Sequence, residues 1–323
     1  MVRSRRRLFL RLLGLLTIVL VAAAVGLYGC ESIKRSAAWG VVCAANYGRT
    51  IHPADDAGPD ELRRIGVDRQ LRLGVGPPDA SLSVWIIEPR TSDPAASASP
   101  RGTILLLHGI HGNKTHMLGT GRLLGEHGFR CVLVDLRGHG LSTGDWFTYG
   151  VQESRDLSQV LDALSDNELL SGTIGVYGAS YGGATALMLA GRDPRVQAVV
   201  TVAAFSTMRE VVAGNIRRYL LLGPLLPDAW VDDVIGRAGR LADFDPDEAS
   251  PLAAVSRTRA RLLIIHGKAD AKIPYQQARD LHAAGRDHSR LILLDAEDHD
   301  SIMSDRTGTL AREVPAWFVA EPR

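Results

Sequence analysis

The chain has 323 residues, of which 46% are hydrophobic and 23% charged, as in ordinary globular proteins. This composition excludes a disordered or collagen-like chain, and three cysteines are too few for a disulfide scaffold. A net charge of +1 and an aromatic content of 6% give no sign of a nucleic-acid-binding surface, so we expect no nucleic-acid partner.

The charge is unevenly distributed, because five arginines and no acidic residue lie within the first eleven residues. Removing these five from the 37 basic residues leaves 32, against 36 acidic residues. Residues 12–30 carry no charge, and as a helix they would measure about 28 Å, close to the hydrocarbon thickness of a bilayer. The sequence therefore predicts a basic segment and a transmembrane signal anchor over residues 1–30, with the rest of the chain on the extracytoplasmic side.

Three other fates of this segment stay open. A secretory signal could be cleaved, although no Ala-rich cleavage pattern is obvious after Tyr28. Residues 27–30 read Leu-Tyr-Gly-Cys and resemble a lipobox, which makes Cys30 a candidate lipidation site. Residues 6–11 resemble the twin-arginine signal for export of folded proteins.

Strand-like and helix-like segments alternate from residue 67 onward. Residues 31–66 show no clear period and predict a juxtamembrane connector. Residues 71–75 and 82–87 are short β-rich runs. Six continuous apolar runs follow, at 103–107, 131–134, 173–177, 196–202, 262–265 and 291–294. Continuous apolar runs with helices between them are typical of a parallel sheet covered on both faces, so residues 67–323 are predicted to form an α/β domain. About fifty residues without a strand predict a helical cap insertion at about 206–249.

Reactive side chains follow three of these runs. Residues 178–182 read Gly-Ala-Ser-Tyr-Gly, with Ser180 between a strand-like and a helix-like run, where flanking glycines relieve a crowded turn. A serine hydroxyl is a poor nucleophile unless a base takes its proton, and His299 follows the last strand-like run. Asp270 follows the preceding run and would orient the imidazole. Ser180, Asp270 and His299 are therefore a candidate catalytic triad, with the backbone N–H of Tyr181 as a donor to the oxyanion.

Other side chains compete for these roles. The alternative acids are Asp295, Asp298 and Asp300, and the last two are too close to His299 in the chain to reach the far side of its ring. The alternative bases, His282 and His288, precede the last strand-like run. The remaining histidines considered are His108, His111 and His116, and none has an acidic partner at metal-ligand spacing, so we expect no metal. The chemistry of the candidate triad implies no cofactor.

Five ordered motifs between about residues 101 and 318 resemble those of α/β-hydrolases: LLLHGIHG, VDLRGHGLS, GVYGASYGG, LIIHGKAD and the histidine of DAEDHD. The segment HGKADAKIP, with the Ser-Pro region before it, is similar to the prolyl-oligopeptidase-like and serine-aminopeptidase-like branches. Asp298 departs from the glycine that many relatives carry before the histidine.

The resemblance implies an α/β-hydrolase fold, with a mostly parallel sheet of the eight-stranded type, in a membrane-anchored serine hydrolase of bacterial type. It also implies that the backbone N–H of Ile110 is the second oxyanion donor. The expected reaction is hydrolysis of an acyl ester or amide, in a small-molecule or peptide substrate, through an acyl-enzyme. A serine aminopeptidase and a catalytically idle binding module are the alternatives.

Overall fold

The computed structural model describes residues 2–52, 55–90 and 99–320, and within its first helix the side chains of residues 13–24, 26 and 29. Its strands are β1 (Arg69–Val75), β2 (Ala80–Ile87), β3 (Gly102–Leu107), β4 (Arg130–Val134), β5 (Thr173–Ala179), β6 (Ala198–Val202), β7 (Arg261–Gly267) and β8 (Ser289–Leu294). They form one sheet in the order β1-β2-β4-β3-β5-β6-β7-β8. Only the β1–β2 and β2–β4 pairs are antiparallel. The predicted α/β fold with a mostly parallel eight-stranded sheet is confirmed.

The central strands are apolar at successive positions because both faces of the sheet are covered. In β3, Leu105 and Leu107 belong to one hydrophobic cluster, while Ile104 and Leu106 belong to the other. All four side chains are fully buried. Successive side chains of a strand point to opposite faces, so each face of this strand requires its own set of aliphatic residues.

Helices cover both faces. The α-helices are α1 (Val2–Gly29), α2 (Glu31–Val42), α3 (Pro59–Ile65), α4 (Leu118–Glu126), α5 (Val151–Asp166), α6 (Tyr181–Arg192), α7 (Met208–Tyr219), α8 (Asp228–Ala242), α9 (Pro251–Val255), α10 (Gln276–Ala284) and α11 (Thr309–Val319). Short 3₁₀ turns lie at Lys114–Met117, Gly223–Leu225 and Ser301–Ser304. Helices α7 and α8 lie within the predicted cap insertion at about 206–249, between β6 and β7, and α9 follows it.

Residues 31–66, the predicted connector, include helices α2 and α3. Helix α2 packs against α8 of the cap, and Ala38 and Val42 are buried there in a hydrophobic cluster. An ion pair of 2.9 Å between Lys34 and Asp233 joins the same two helices. Farther along, the Asn46 side chain donates hydrogen bonds to two carbonyl oxygens of the loop after β4. The segment thus contacts both α8 and the loop after β4, and the domain boundary at residue 67 stays a prediction.

The predicted transmembrane anchor falls on α1, in which the side chains of residues 2–12, 25, 27 and 28 lie outside the description. Within the described residues, no helix is long and apolar enough to span a membrane. The transmembrane part of the prediction therefore has no support from the fold. Cys30 lies exposed between α1 and α2 and has no disulfide partner, and its lipidation stays a prediction.

Candidate active site

Ser180 lies in a tight turn between β5 and α6. Its backbone has φ 52° and ψ −116°, a conformation that residues with a side chain rarely adopt. The turn passes close to the end of β3, because a Cβ added at Gly182 would collide with the carbonyl oxygens of Leu107 and His108. A Cβ at Gly178 would collide with the backbone of Gly182. The glycines therefore permit a close backbone approach that holds the serine in place.

The structure brings Ser180, His299 and Asp270 together. Ser180 Oγ lies 3.0 Å from His299 Nε2, and His299 Nδ1 lies 2.7 Å from Asp270 Oδ2. The other carboxylate oxygen accepts hydrogen bonds from the backbone N–H groups of Lys272 and Ile273. These bonds fix the carboxylate, which in turn fixes the imidazole with Nε2 directed at the serine hydroxyl. This geometry can activate a serine as a nucleophile.

Asp270 is held in its ionised form. Burial raises the pKa of this carboxyl, but hydrogen bonds from His266, His299 and the N–H of Ile273 outweigh burial and hold the pKa well below its usual range. An ionised carboxylate can stabilise the imidazolium that forms when His299 takes a proton.

His266 is a neighbour of the site that the sequence reasoning missed. Its side chain is fully buried, and its Nε2 lies 2.8 Å from the carbonyl oxygen of Ile273 and 3.3 Å from Asp270 Oδ2. Since a carbonyl oxygen can only accept, Nε2 carries the proton and donates to Ile273, and the same N–H lies close to the Asp270 carboxylate. The spacing of four residues between His266 and Asp270 at the end of β7 was the available signal.

The two expected oxyanion donors lie in two different segments, at the start of α6 and in the loop after β3. Tyr181 begins α6, and the first N–H groups of a helix have no intrahelical partner. Ile110 lies in the loop after β3, and in the described part of the chain its N–H makes no hydrogen bond. This loop approaches the nucleophile, because a Cβ at Gly109 would lie 3.6 Å from Ser180 Cβ. The roles of Ile110 and Tyr181 stay predictions.

A buried ion pair between Lys114 and Asp135 holds the loop after β3 in place, and the sequence reasoning did not single it out. Lys114 Nζ lies 2.5 Å from Asp135 Oδ2, and the two side chains are 3% and 1% exposed. The carboxylate also accepts hydrogen bonds from the backbone N–H groups of Lys114 and Leu141. Since Asp135 follows β4, the pair joins the ends of two neighbouring strands beside the nucleophile.

Two buried histidines nearby are structural. His108 accepts a hydrogen bond from the N–H of Leu136, and burial, with His139 beside it, lowers its pKa to about 4. Burial also lowers the pKa of His139. Both rings are therefore neutral at physiological pH and hold the loops after β3 and β4.

The other acidic candidates are engaged elsewhere. Asp295 pairs with Lys268, and Asp300 pairs with Lys272. The Asp298 carboxylate accepts the backbone N–H groups of the two residues that follow His299. His282 bonds to the Ser289 hydroxyl, and His288 is the residue before β8. Asp270 is thus the carboxylate that contacts the His299 ring.

A pocket of about 650 Å³ opens over Ser180 and His299. Its apolar wall includes Ile110, Met117 and Met303, and its polar wall includes His116, Thr120 and Lys272. The site is large enough for a small organic group, and both kinds of wall reach the nucleophile.

The fold and this site can be compared with known proteins. A structure of the Pyrococcus furiosus esterase Pf2001 superposes with a TM-score of 0.62 at 19% identity, over 81% of this chain and 96% of that one. The acylaminoacyl peptidase of Pyrococcus horikoshii superposes with a TM-score of 0.55 at 19% identity, over 78% of this chain and 40% of that one. The chain has the α/β-hydrolase fold.

Sequence comparisons identify one family model and several bacterial proteins that are similar to this chain. Residues 81–217 match the family described as X-Pro dipeptidyl-peptidase (S15 family). The uncharacterized protein YqkD of Bacillus subtilis is 31% identical over 201 residues, which is 61% of this chain and just under two thirds of YqkD. The uncharacterized protein YfhR of Escherichia coli K12 is 29% identical over 265 residues, or 81% of this chain and 82% of YfhR.

Proposed function

We propose that this α/β-hydrolase is a serine hydrolase that cleaves acyl esters through an acyl-enzyme. The observation that carries the proposal is the hydrogen-bonded series from Ser180 through His299 to Asp270 at the floor of an open pocket. Each member has the partner that its role requires: the nucleophile has a base, and the base has a carboxylate.

In the proposed reaction, Ser180 Oγ forms a bond to the acyl carbon while its proton passes to His299 Nε2. The carbonyl oxygen becomes an oxyanion, which the N–H groups of Ile110 and Tyr181 stabilise. His299 then gives the proton to the leaving alcohol as the ester bond breaks. Water attacks the acyl-enzyme by the same route and releases the acid and the free serine. No cofactor takes part in this sequence.

A peptidase is the second candidate, because residues 81–217 match a family described as dipeptidyl-peptidases. In that case the leaving group is an amine, which His299 must protonate before the bond breaks. Esters come first, since an alcohol leaves more readily than an amine and, among the described residues that line the pocket, the one carboxylate that could bind a peptide amino terminus, Asp300, is already paired with Lys272. A panel of acyl esters of increasing chain length beside aminoacyl and X-Pro amides separates the two substrate classes.

Labelling by a fluorophosphonate tests the proposal. The wild-type chain is expected to form a covalent adduct at Ser180, and Ser180→Ala is expected to form none. Ser256→Ala, at an exposed serine after α9, is the matched control and should label as wild type does. Folded wild-type protein that does not label, or turns over no ester or amide, would assign the chain to the idle binding modules.

We further propose that residues 1–30 attach the enzyme to a membrane and that the catalytic domain lies on the extracytoplasmic side. The support is the order of five arginines followed by an uncharged apolar segment. In intact spheroplasts, protease added outside is expected to reach and cleave the part of the chain that follows Lys34. Protection of the whole chain until the cells are lysed would contradict this location.

A further inference from the structure

Large apolar side chains are exposed in one segment of the cap. Residues 219–227 are here called the cap loop. They comprise the last residue of α7 and the segment that joins it to α8. Tyr219, Leu221 and Leu225 are 62%, 78% and 76% exposed, and Leu222 is 40% exposed. Isolated exposed leucines are common, but a cluster within one short segment indicates a surface that binds an apolar partner.

The cap loop lies beside the last part of α1. Leu222, Leu225 and Leu226 face Val21 and Ala24 of that helix across an apolar groove of about 260 Å³, which extends to Gly29. At 1.5 Å per residue, the groove follows α1 for about 12 Å. Whatever surrounds α1 at the level of Val21 therefore also surrounds the leucines of the cap loop.

Helix α1 is exposed on all sides above this groove. Its large apolar side chains are about half to two thirds exposed at Leu13, Leu15, Leu16, Ile18, Val19, Leu20 and Val21. A helix that is apolar all round is normally covered by a protein core or by lipid, and these described side chains remain about half or more exposed. The arginines that precede them complement the negative charge of anionic headgroups. Lipid is thus the occupant that fits both the apolar and the charged part of α1.

We propose that the cap loop is a lipid-binding surface, in which Leu221, Leu222 and Leu225 enter the apolar layer of the bilayer that also receives α1. The proposal rests on the membrane attachment proposed above, and it adds a second contact that sets the orientation of the catalytic domain.

The test uses the full chain with Cys30→Ser and Cys43→Ser, so that Cys131 remains as a buried thiol. An environment-sensitive fluorophore is placed at Leu225→Cys and mixed with vesicles of phosphatidylglycerol and phosphatidylcholine that contain a nitroxide-labelled lipid. The matched control is Val319→Cys. Val319 is 45% exposed and ends α11, next to Ala320, whose carbonyl oxygen binds Arg261 at the start of β7, away from the pocket.

We expect a blue shift and quenching at position 225 and neither change at position 319. We also expect Leu221→Ser with Leu225→Ser to weaken vesicle binding by at least about tenfold. Bound protein with no change at position 225 would overturn the proposal. A blue shift without vesicles, with a dimer in size-exclusion chromatography, would assign the surface to a second copy and also overturn it. Fluorophosphonate labelling of the same samples tests the catalytic proposal independently, so its failure can be distinguished from failure of the lipid-binding proposal.

Discussion

Replacing Ser180 by alanine is expected to lower kcat for an ester substrate by a factor on the order of 10⁶. The substitution removes the atom that forms the acyl-enzyme in the proposed reaction, and no other hydroxyl is hydrogen-bonded to His299 Nε2 within the described residues. His299→Ala is expected to have a similar effect, because an unactivated serine hydroxyl attacks an ester very slowly. The pair acts as a unit, so the double variant should be no slower than either single variant.

Steady-state turnover of one soluble ester by the three variants measures this coupling. Far-ultraviolet circular dichroism and the unfolding midpoint of each variant show whether the fold is retained. Residual activity above this level in purified Ser180→Ala would mean that another group is the nucleophile. Additive losses in the double variant would mean that Ser180 and His299 act in separate steps.

Replacing Lys114 by methionine is expected to destabilise the fold by about 3–5 kcal/mol. Methionine occupies a similar volume, but it leaves the buried Asp135 carboxylate without its cation. That loss corresponds to a fall of roughly 10 °C in the unfolding midpoint of a domain of this size. We also expect a lower kcat, since Lys114 closes the loop that carries Ile110 beside Ser180.

Two further variants separate the buried charge from general effects of the substitution. Lys268→Met breaks an exposed pair, in which Lys268 and Asp295 are 41% and 83% exposed, and should cost less than about 1 kcal/mol. Lys114→Met combined with Asp135→Asn should recover part of the stability lost in the single variant, because the unpaired charge is gone. Thermal unfolding measures all three. Equal losses for Lys114→Met and Lys268→Met would contradict a stabilising role of the buried pair.

Local sequence identified the strands because burial on both faces leaves a continuous apolar run. The six runs from residue 103 onward and the two β-rich runs before them correspond to the eight strands, within a few residues at each end. The turn at Ser180 was also readable, because a close backbone approach requires glycine at fixed positions. Asp270 and His299 could be chosen by their order after consecutive strands.

Contacts such as α2 with α8, between segments far apart in the chain, could not be predicted from the sequence. Helix α2 has only twelve residues and buries small side chains such as Ala38, so its period is weak, and its partner α8 lies far along the chain. The same applies to Lys114. A lysine in a loop normally suggests a solvated side chain, and only the adjacency of β3 and β4 places Asp135 beneath it.

The sequence by itself determined the class of fold, the strands and the candidate nucleophile, because these depend on patterns within a few neighbouring residues. Tertiary structure alone decided the strand order, the 3.0 Å approach of Ser180 to His299 and the contact of His266 with Asp270. It also decided that the cap loop lies beside α1. These features depend on which surfaces meet when the chain folds, and burial against a distant partner leaves little trace in local periodicity.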